Sequence, residues 1–179
     1  MSKREFSVES PKFFHYLIVI ALCLVIPMSG IIAVLLLNNA PFSIWLLIAV
    51  SLILTAVAGL LILMMRRLEI FIQDDHLIVH ATFYKRRIAL TDLQLELAEI
   101  INLKTNKNLK PGIKTNGFSL PGFYAGHFRA RFSGPKLFCL ITDLEDVLHI
   151  PLNNGSHLLL SPHLPRLVLD ELRKFRGTK

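Results

Sequence analysis

The stretch FFHYLIVIALCLVIPMSGIIAVLLL, from Phe13 to Leu37, decides the fold together with FSIWLLIAVSLILTAVAGLLILMM, from Phe42 to Met65. Neither run contains an Asp, Glu, Lys or Arg. A bilayer core about 30 Å thick is crossed by roughly 20 helical residues, and each run exceeds that length. Because only helices and closed barrels satisfy their backbone groups in lipid, the two runs predict membrane-spanning helices.

Only Asn38, Asn39, Ala40 and Pro41 separate the two runs, and such a short turn-forming segment predicts an antiparallel hairpin over residues 13–65. The alternative for the first run is a cleaved signal peptide, but its apolar stretch is longer than the usual 7–15 residues or so. Pro27 and Gly30 predict an interruption of the first helix, and a functional hinge there is left open.

Basic residues flank the hairpin on both outer sides. Lys3, Arg4 and Lys12 precede it, Arg66 and Arg67 follow it, and the connecting turn has no charge. The positive-inside rule therefore predicts a multi-pass protein of the cytoplasmic (inner) membrane with both termini in the cytoplasm. Residues 1–12 are then a short cytoplasmic N-terminal segment.

From Leu68 onward the chain consists of short apolar runs separated by turn residues, which indicates a compact β structure. Leu68–Gln73 and His76–Phe83 predict a hairpin around Asp74-Asp75, with Leu77, Val79, Ala81 and Phe83 on one face. Lys104–Gly126 is expected to be a loop. The further strands are expected to form a meander: Arg87–Leu90, His127–Phe132, Leu137–Thr142, Val147–Ile150 and His157–Leu160.

Ser161-Pro162 is a helix-start signal, and Leu164, Val168, Leu172 and Phe175 then recur at helical spacing. About seven strands followed by one amphipathic helix predict a small barrel whose open end the helix covers. The fold class is thus a membrane α-helical hairpin plus a β-rich domain over residues 68–176.

The order of these elements resembles the bacterial pleckstrin-homology (PH)-like domains. The resemblance is carried by Asn116-Gly-Phe-Ser-Leu-Pro-Gly-Phe-Tyr-Ala-Gly-His-Phe-Arg129, by Thr142-Asp143 and by Ile150-Pro151, and it covers roughly Leu68 to Phe175. It implies a seven-stranded PH-like barrel capped by a C-terminal helix, preceded by transmembrane helices. It brings no catalytic residue, because this fold holds lipids, peptides and oligomer contacts alike.

No Asp or Glu occurs from Ile100 to Thr142, although this stretch is rich in cations. A basic surface beside the cytoplasmic leaflet gains about 1 kcal/mol per Lys or Arg from anionic lipids. The residues expected to bind lipid or a partner are Lys104, Lys107, Lys110, Lys114, Arg129, Arg131 and Lys136, with Arg66 and Arg67 as juxtamembrane basic residues. The alternative is a solvated basic loop that simply follows the positive-inside bias.

Other classes of function find little support in the sequence. No nucleophile with a plausible base, no paired carboxylates and no metal-ligand spacing is present, so no enzyme, metal site or cofactor is expected. The basic pI near 9.7 is not accompanied by a nucleic-acid-binding signature. No P-loop motif follows the glycines of residues 112–126, which favours turn formation there.

The sequence thus predicts a membrane-tethered, non-enzymatic PH-like binding module that contacts anionic phospholipid headgroups or a membrane protein partner. A different class of function is a structural or assembly subunit, in which the hairpin packs into a larger membrane complex and the domain self-associates. The small and hydroxylated helix residues Ser29, Ser51, Thr55 and Gly59 motivate that alternative.

Overall fold

A computed structural model describes residues 4–38, 44–131 and 134–177 of the 179-residue chain. These residues form two compact units, a helical unit over residues 12–66 and a β unit made of residues 4–11 and 67–177. Most of the predicted inter-helix turn, and also Lys3 and Phe132, lie outside the described residues.

The helical unit contains two stretches that are long and apolar enough to cross a membrane, Phe13–Leu37 and Ile44–Met65. Only 6% of the most apolar window of each stretch is buried, unlike the core helix of a soluble protein. The helices are α1 (Phe13–Ile20), a π-helical segment (Ala21–Val25), α2 (Ile26–Asn38) and α3 (Ile44–Met65).

The interruption predicted from Pro27 takes the form of the π-helical segment. Proline has no N–H group to donate to the carbonyl four residues earlier, here that of Cys23. The N–H of Ile26 bonds to the carbonyl of Ala21, five residues back, so the helix is underwound just before the proline.

The first sheet of the β unit is antiparallel, with its strands in chain order. The strands are β1 (Arg4–Phe6), β2 (Leu68–Gln73), β3 (His76–Ala81) and β4 (Tyr84–Ala89). The predicted hairpin around Asp74 and Asp75 is present, and both residues have the positive φ angles of a mirror-type turn, 50° and 58°. Strand β1 comes from the N-terminal segment, for which the sequence indicated no strand.

The second sheet has the order β5-β9-β10-β8-β7-β6 and is antiparallel except for the parallel pair β8 and β10. Its core includes Phe128, Leu137, Ile141 and Leu159, all at most 2% exposed. Helix α4 follows the sheet and buries Val168, Leu169 and Leu172. The elements are β5 (Glu99–Ile101), β6 (Pro111–Leu120), β7 (Phe123–Ala130), β8 (Lys136–Ile141), β9 (Val147–Pro151), β10 (His157–Leu160) and α4 (Pro165–Gly177).

Two expectations about this sheet are wrong. Lys104–Gly126 is not a loop, because Pro111–Leu120 forms the long strand β6. Strand β6 lies at the sheet edge and is mostly exposed, so it lacks the alternation that marks a half-buried strand. The strands do not form a simple meander either, because β10 pairs between β9 and β8.

The expectation for Phe83 is also wrong. Strand β3 ends at Ala81, and Thr82 and Phe83 form the turn to β4, with Thr82 at a φ of 57° and Phe83 53% exposed. Leu77, Val79 and Ala81 are buried as predicted. Ten strands are present in the described residues, more than the seven expected, and they form two open sheets, so the closed barrel stays a prediction.

Candidate anion-binding pocket

A pocket of about 500 Å³ opens on the β unit, within the range typical of small-molecule sites. Strands β4, β6, β7 and β8 and the turn before β10 supply its walls. No acidic residue is present among the described residues that line it: Arg86, Thr115, His127, Phe128, Arg129, Lys136, Leu137, Asn154 and Ser156. We call it the basic pocket.

Arg86 is the half-buried cation of the basic pocket. It lies on the inward face of β4, where the neighbouring Lys85 and Arg87 point outward and are exposed. Its guanidinium donates to the hydroxyl of Ser156 at 3.0 Å and lies 5.6 Å from the ring centroid of Phe138. Burial lowers the pKa of Arg86 from its usual value, but a guanidinium remains protonated at neutral pH.

Arg129 and Lys136 bring two more positive charges to the pocket. They are directly opposite each other in the antiparallel pair of β7 and β8, so their side chains share one face. Like charges placed opposite each other across a sheet are destabilising. Within the described residues no carboxylate forms an ion pair with Arg86, Arg129 or Lys136, so a bound anion would relieve their repulsion.

The polar remainder of the pocket is held by local hydrogen bonds. The hydroxyl and the backbone N–H of Ser156 both donate to Oδ1 of Asn154, at 2.7 and 2.9 Å, and Thr115 donates to the carbonyl of His127 at 3.0 Å. Burial, and then the charge of Arg86, lower the pKa of His127. His127 is therefore neutral at pH 7, and the cationic character comes from the three fixed charges.

The structure brings together two of the residues expected from the sequence, Arg129 and Lys136. Lys104 is directed elsewhere, since its ammonium forms an ion pair with Glu145 at 2.6 Å. The others lie outside the pocket lining: Lys107, Lys110, Lys114 and Arg131, with Arg66, the last residue of the helical unit, and Arg67, the first of the β unit's main segment, both exposed.

Sequence reasoning did not name Arg86 among the residues expected to bind lipid or a partner. A usable signal was present, because Tyr84, Arg86 and Ile88 alternate with Lys85 and Arg87 in one strand. Arginine is mostly an exposed residue and is almost never fully buried unless it is paired, so its position on the apolar side of a strand indicates a binding partner. Ser156 and Asn154 carried no such signal, since their contribution depends on the turn before β10.

A second polar cluster joins β5, β9 and β10 and contains two stacked histidines. The rings of His149 and His157 are 5.0 Å apart and nearly parallel, with Nε2 of His149 2.7 Å from Nδ1 of His157. The carboxylate of Glu99 lies 3.4 Å from Nδ1 of His149. Among the described residues no group of three His, Cys, Asp or Glu side chains is arranged to hold a metal ion.

We expect the histidine pair to make the protein less stable in mild acid. Burial, followed by the charge of His157, lowers the pKa of His149, and burial lowers that of His157. Below the ordinary histidine pKa of about 6.5, the unfolded chain therefore binds protons that the folded chain rejects. The free energy of unfolding should fall as pH decreases from about 7.5 to 5.5.

Denaturant unfolding of the detergent-solubilised full chain at several pH values measures the slope of the free energy of unfolding against pH. His149→Gln should flatten it without abolishing it, since His157 and His127 also titrate with lowered pKa values. A slope that the substitution leaves unchanged would contradict the assignment to this pair.

The two sheets, the C-terminal helix and the basic pocket belong to a β-rich domain that is joined in the chain to two apolar helices. The family model for the bacterial PH domain matches residues 68–175, more than half of the chain. The chain therefore belongs to the bacterial PH domain family, whose members are generally non-enzymatic binding modules. No curated protein and no solved structure matches it.

Proposed function

We propose that this protein is a non-enzymatic binding module that is anchored in the membrane by its helical hairpin. Its basic pocket binds the phosphate-bearing headgroup of an anionic phospholipid. The observation that carries the proposal is the convergence of Arg86, Arg129 and Lys136 in a pocket whose described lining has no acidic residue. Arginine binds phosphate oxygens in a bidentate fork, and lysine adds a point charge.

The topology of β1 supports the anchoring. Strand β1 precedes the first apolar helix, β2 follows the second, and the two strands are hydrogen-bonded neighbours. If both helices cross a bilayer, the segments before and after them must then lie on the same side. The basic residues that flank the hairpin favour the cytoplasmic side of the inner membrane. Signal-peptide cleavage would remove β1 from the sheet.

The composition of the pocket favours ligands by their negative charge and not by their shape. Its walls offer cations, hydroxyls and an amide, and its apolar lining is limited to Phe128 and Leu137. Such a site discriminates poorly between phosphate monoesters and diesters but strongly against zwitterionic headgroups, in which an ammonium neutralises the phosphate. A membrane protein partner with an acidic segment is the competing ligand for the same three cations.

The test is calorimetric titration of the detergent-solubilised full chain with short-chain phosphatidylglycerol, with short-chain phosphatidylcholine as the neutral comparison. We expect Arg86→Gln to weaken phosphatidylglycerol binding about 10- to 100-fold, since a hydrogen bond to a charged group contributes about 1.5–3 kcal/mol. The matched control is Arg87→Gln, one residue further along β4 on the outward face, which should leave the affinity unchanged.

Equal affinity for the two lipids, or equal effects of the two substitutions, would contradict the headgroup proposal. If only an acidic peptide competes for Arg86, the partner is a protein. A fragment beginning at Leu68 is unsuitable for this experiment, because it lacks β1.

The assembly role is the second candidate, and the helical unit favours it in one respect. An added Cβ atom at Gly30 or Gly59 would meet no atom within 4 Å, so each glycine leaves a small, open surface on its helix. Small residues allow the backbones of neighbouring transmembrane helices to approach closely. Crosslinking in native membranes to one reproducible neighbour would support this role.

A further inference from the structure

The turn between β3 and β4 carries an exposed aromatic side chain where a polar tip is usual. Two-residue hairpin turns favour Asn, Asp and Gly, because these residues adopt positive φ angles easily. Here the turn is Thr82-Phe83, with Thr82 at a φ of 57°. Phe83 is the only exposed phenylalanine among the described residues of the β unit.

The Thr82-Phe83 turn is hydrogen-bonded to a residue that follows the second apolar helix almost directly. The backbone N–H of Thr82 donates to the carbonyl of Arg67 at 3.1 Å, and Leu68 is opposite Ala81 in the β2–β3 register. Helix α3 ends at Met65. Two residues of chain span at most about 7 Å, so the turn cannot lie far from the point where that helix ends.

The charges around the turn suit a membrane surface. Lys85 alternates with Phe83 on the outward side and is exposed, as are Arg66 and Arg67. At the opposite end of β3, about 20 Å away for a strand of six residues, the turn is Asp74-Asp75. One end of the three-stranded meander β2–β3–β4 thus carries Phe83 and Lys85, whereas the other carries Asp74 and Asp75. Glu69, on β2 near the aromatic end, lies 3.3 Å from Nδ1 of His80.

From this asymmetry we infer that the Thr82-Phe83 turn inserts into the headgroup–acyl boundary of the bilayer that the two helices span. Aromatic side chains flanked by Lys and Arg partition into that boundary, because the ring leaves water while the cations contact anionic headgroups. The inference rests on the membrane anchoring proposed above and not on the basic pocket. The inserted turn would fix the orientation of the domain and therefore the distance between the basic pocket and the lipid headgroups.

The test uses the full chain in vesicles that contain anionic lipid, with quenching by lipids brominated near the headgroup–acyl boundary. Trp45 is the chain's single tryptophan, so Trp45→Phe provides a silent background. In it, Phe83→Trp places a reporter at the turn. Gln73→Trp places the matched reporter at the acidic end of the same sheet, next to Asp74.

We expect the emission of Phe83→Trp to lie at shorter wavelength and to be quenched severalfold more strongly than that of Gln73→Trp. Equal quenching of the two reporters would overturn the inference. The unmodified protein is measured in parallel with the same boundary-brominated lipids, because Trp45 is the second residue of α3 and would lie near that boundary if the helix spans the bilayer. If Trp45 is quenched there while Phe83→Trp is not, the inference fails and the membrane anchoring stands. If Trp45 is not quenched, both fail.

Discussion

Replacing Phe6 with alanine is expected to lower the free energy of unfolding of the β unit by about 3 kcal/mol, the usual effect of truncating a buried phenylalanine. Phe6 is 7% exposed and lies opposite Ile70 in the pairing of β1 with β2. The side chain is thus part of the core, although it lies more than sixty positions before the matched family domain.

The N-terminal segment also contacts the C-terminal part of the β unit at several points outside β1. The backbone N–H of His163 donates to the carbonyl of Ser7 at 2.9 Å, and that of Glu9 donates to the carbonyl of Ser161 at 3.3 Å. Arg4 forms an ion pair with Glu171 on α4, and its guanidinium lies 5.7 Å from the ring centroid of Phe175. The segment therefore joins the first sheet to the residues just before α4 and to the second half of α4.

Denaturant unfolding of the full chain in detergent, followed by near-ultraviolet circular dichroism, measures the effect of Phe6→Ala. The matched control is Ser7→Ala, an exposed position whose backbone contact the substitution keeps, with an expected change within about 0.5 kcal/mol. Equal stability of Phe6→Ala and the unmodified chain would mean that β1 does not form in solution. The membrane-topology argument built on β1 would then lose its support.

The parts of the fold that the sequence predicted well are those with local, periodic signals. The two apolar runs and the Asp74-Asp75 hairpin are examples, and His157–Leu160 forms a strand with the predicted bounds. The edge strand β6 was missed because an exposed strand needs no apolar alternation. Strand β1 was missed because its three residues, Arg-Glu-Phe, carry no periodic signal, and its pairing spans the whole hairpin.

The candidate site was predicted in part for a similar reason. An acid-free stretch of sequence identified Arg129 and Lys136, but it also included Lys104, which pairs with Glu145 from a distant turn. A count of charges along the sequence does not reveal an ion-pair partner that is distant in sequence. Arg86 joins the pocket because β4 of the first sheet packs against β7 of the second, a contact between residues that are distant in sequence.

The glycines of residues 112–126 were expected to form turns, which is wrong for three of them, because Gly112, Gly117 and Gly126 lie within β6 and β7. Gly122, at a φ of 82°, does lie in the turn between β6 and β7. Gly117 and Gly126 instead face each other within the paired strands. A Cβ atom at Gly117 would lie 2.8 Å from the ring of Phe128 and 2.9 Å from the carbonyl oxygen of Ala125. Close packing accounts for these two positions.

Gly126→Ala is accordingly expected to destabilise the β unit by about 2–4 kcal/mol, through crowding added to backbone strain. Gly126 has a φ of +107°, and its Cβ would lie 2.7 Å from Tyr84 Cδ2 and 2.8 Å from the carbonyl oxygen of Asn116. The second contact is with backbone, which cannot rotate away. The matched control is Gly155→Ala, whose φ of +72° imposes strain but whose Cβ would meet open space.

The control isolates the crowding, because strain alone costs about 1–2 kcal/mol at a left-handed position. Equal losses for the two variants, measured by denaturant unfolding of the full chain, would show that crowding at Gly126 is absent. Gly126→Ala should also weaken phosphatidylglycerol binding under conditions in which the variant is still folded. Its Cβ displaces the ring of Tyr84, which packs edge-on against His127 in the wall of the basic pocket.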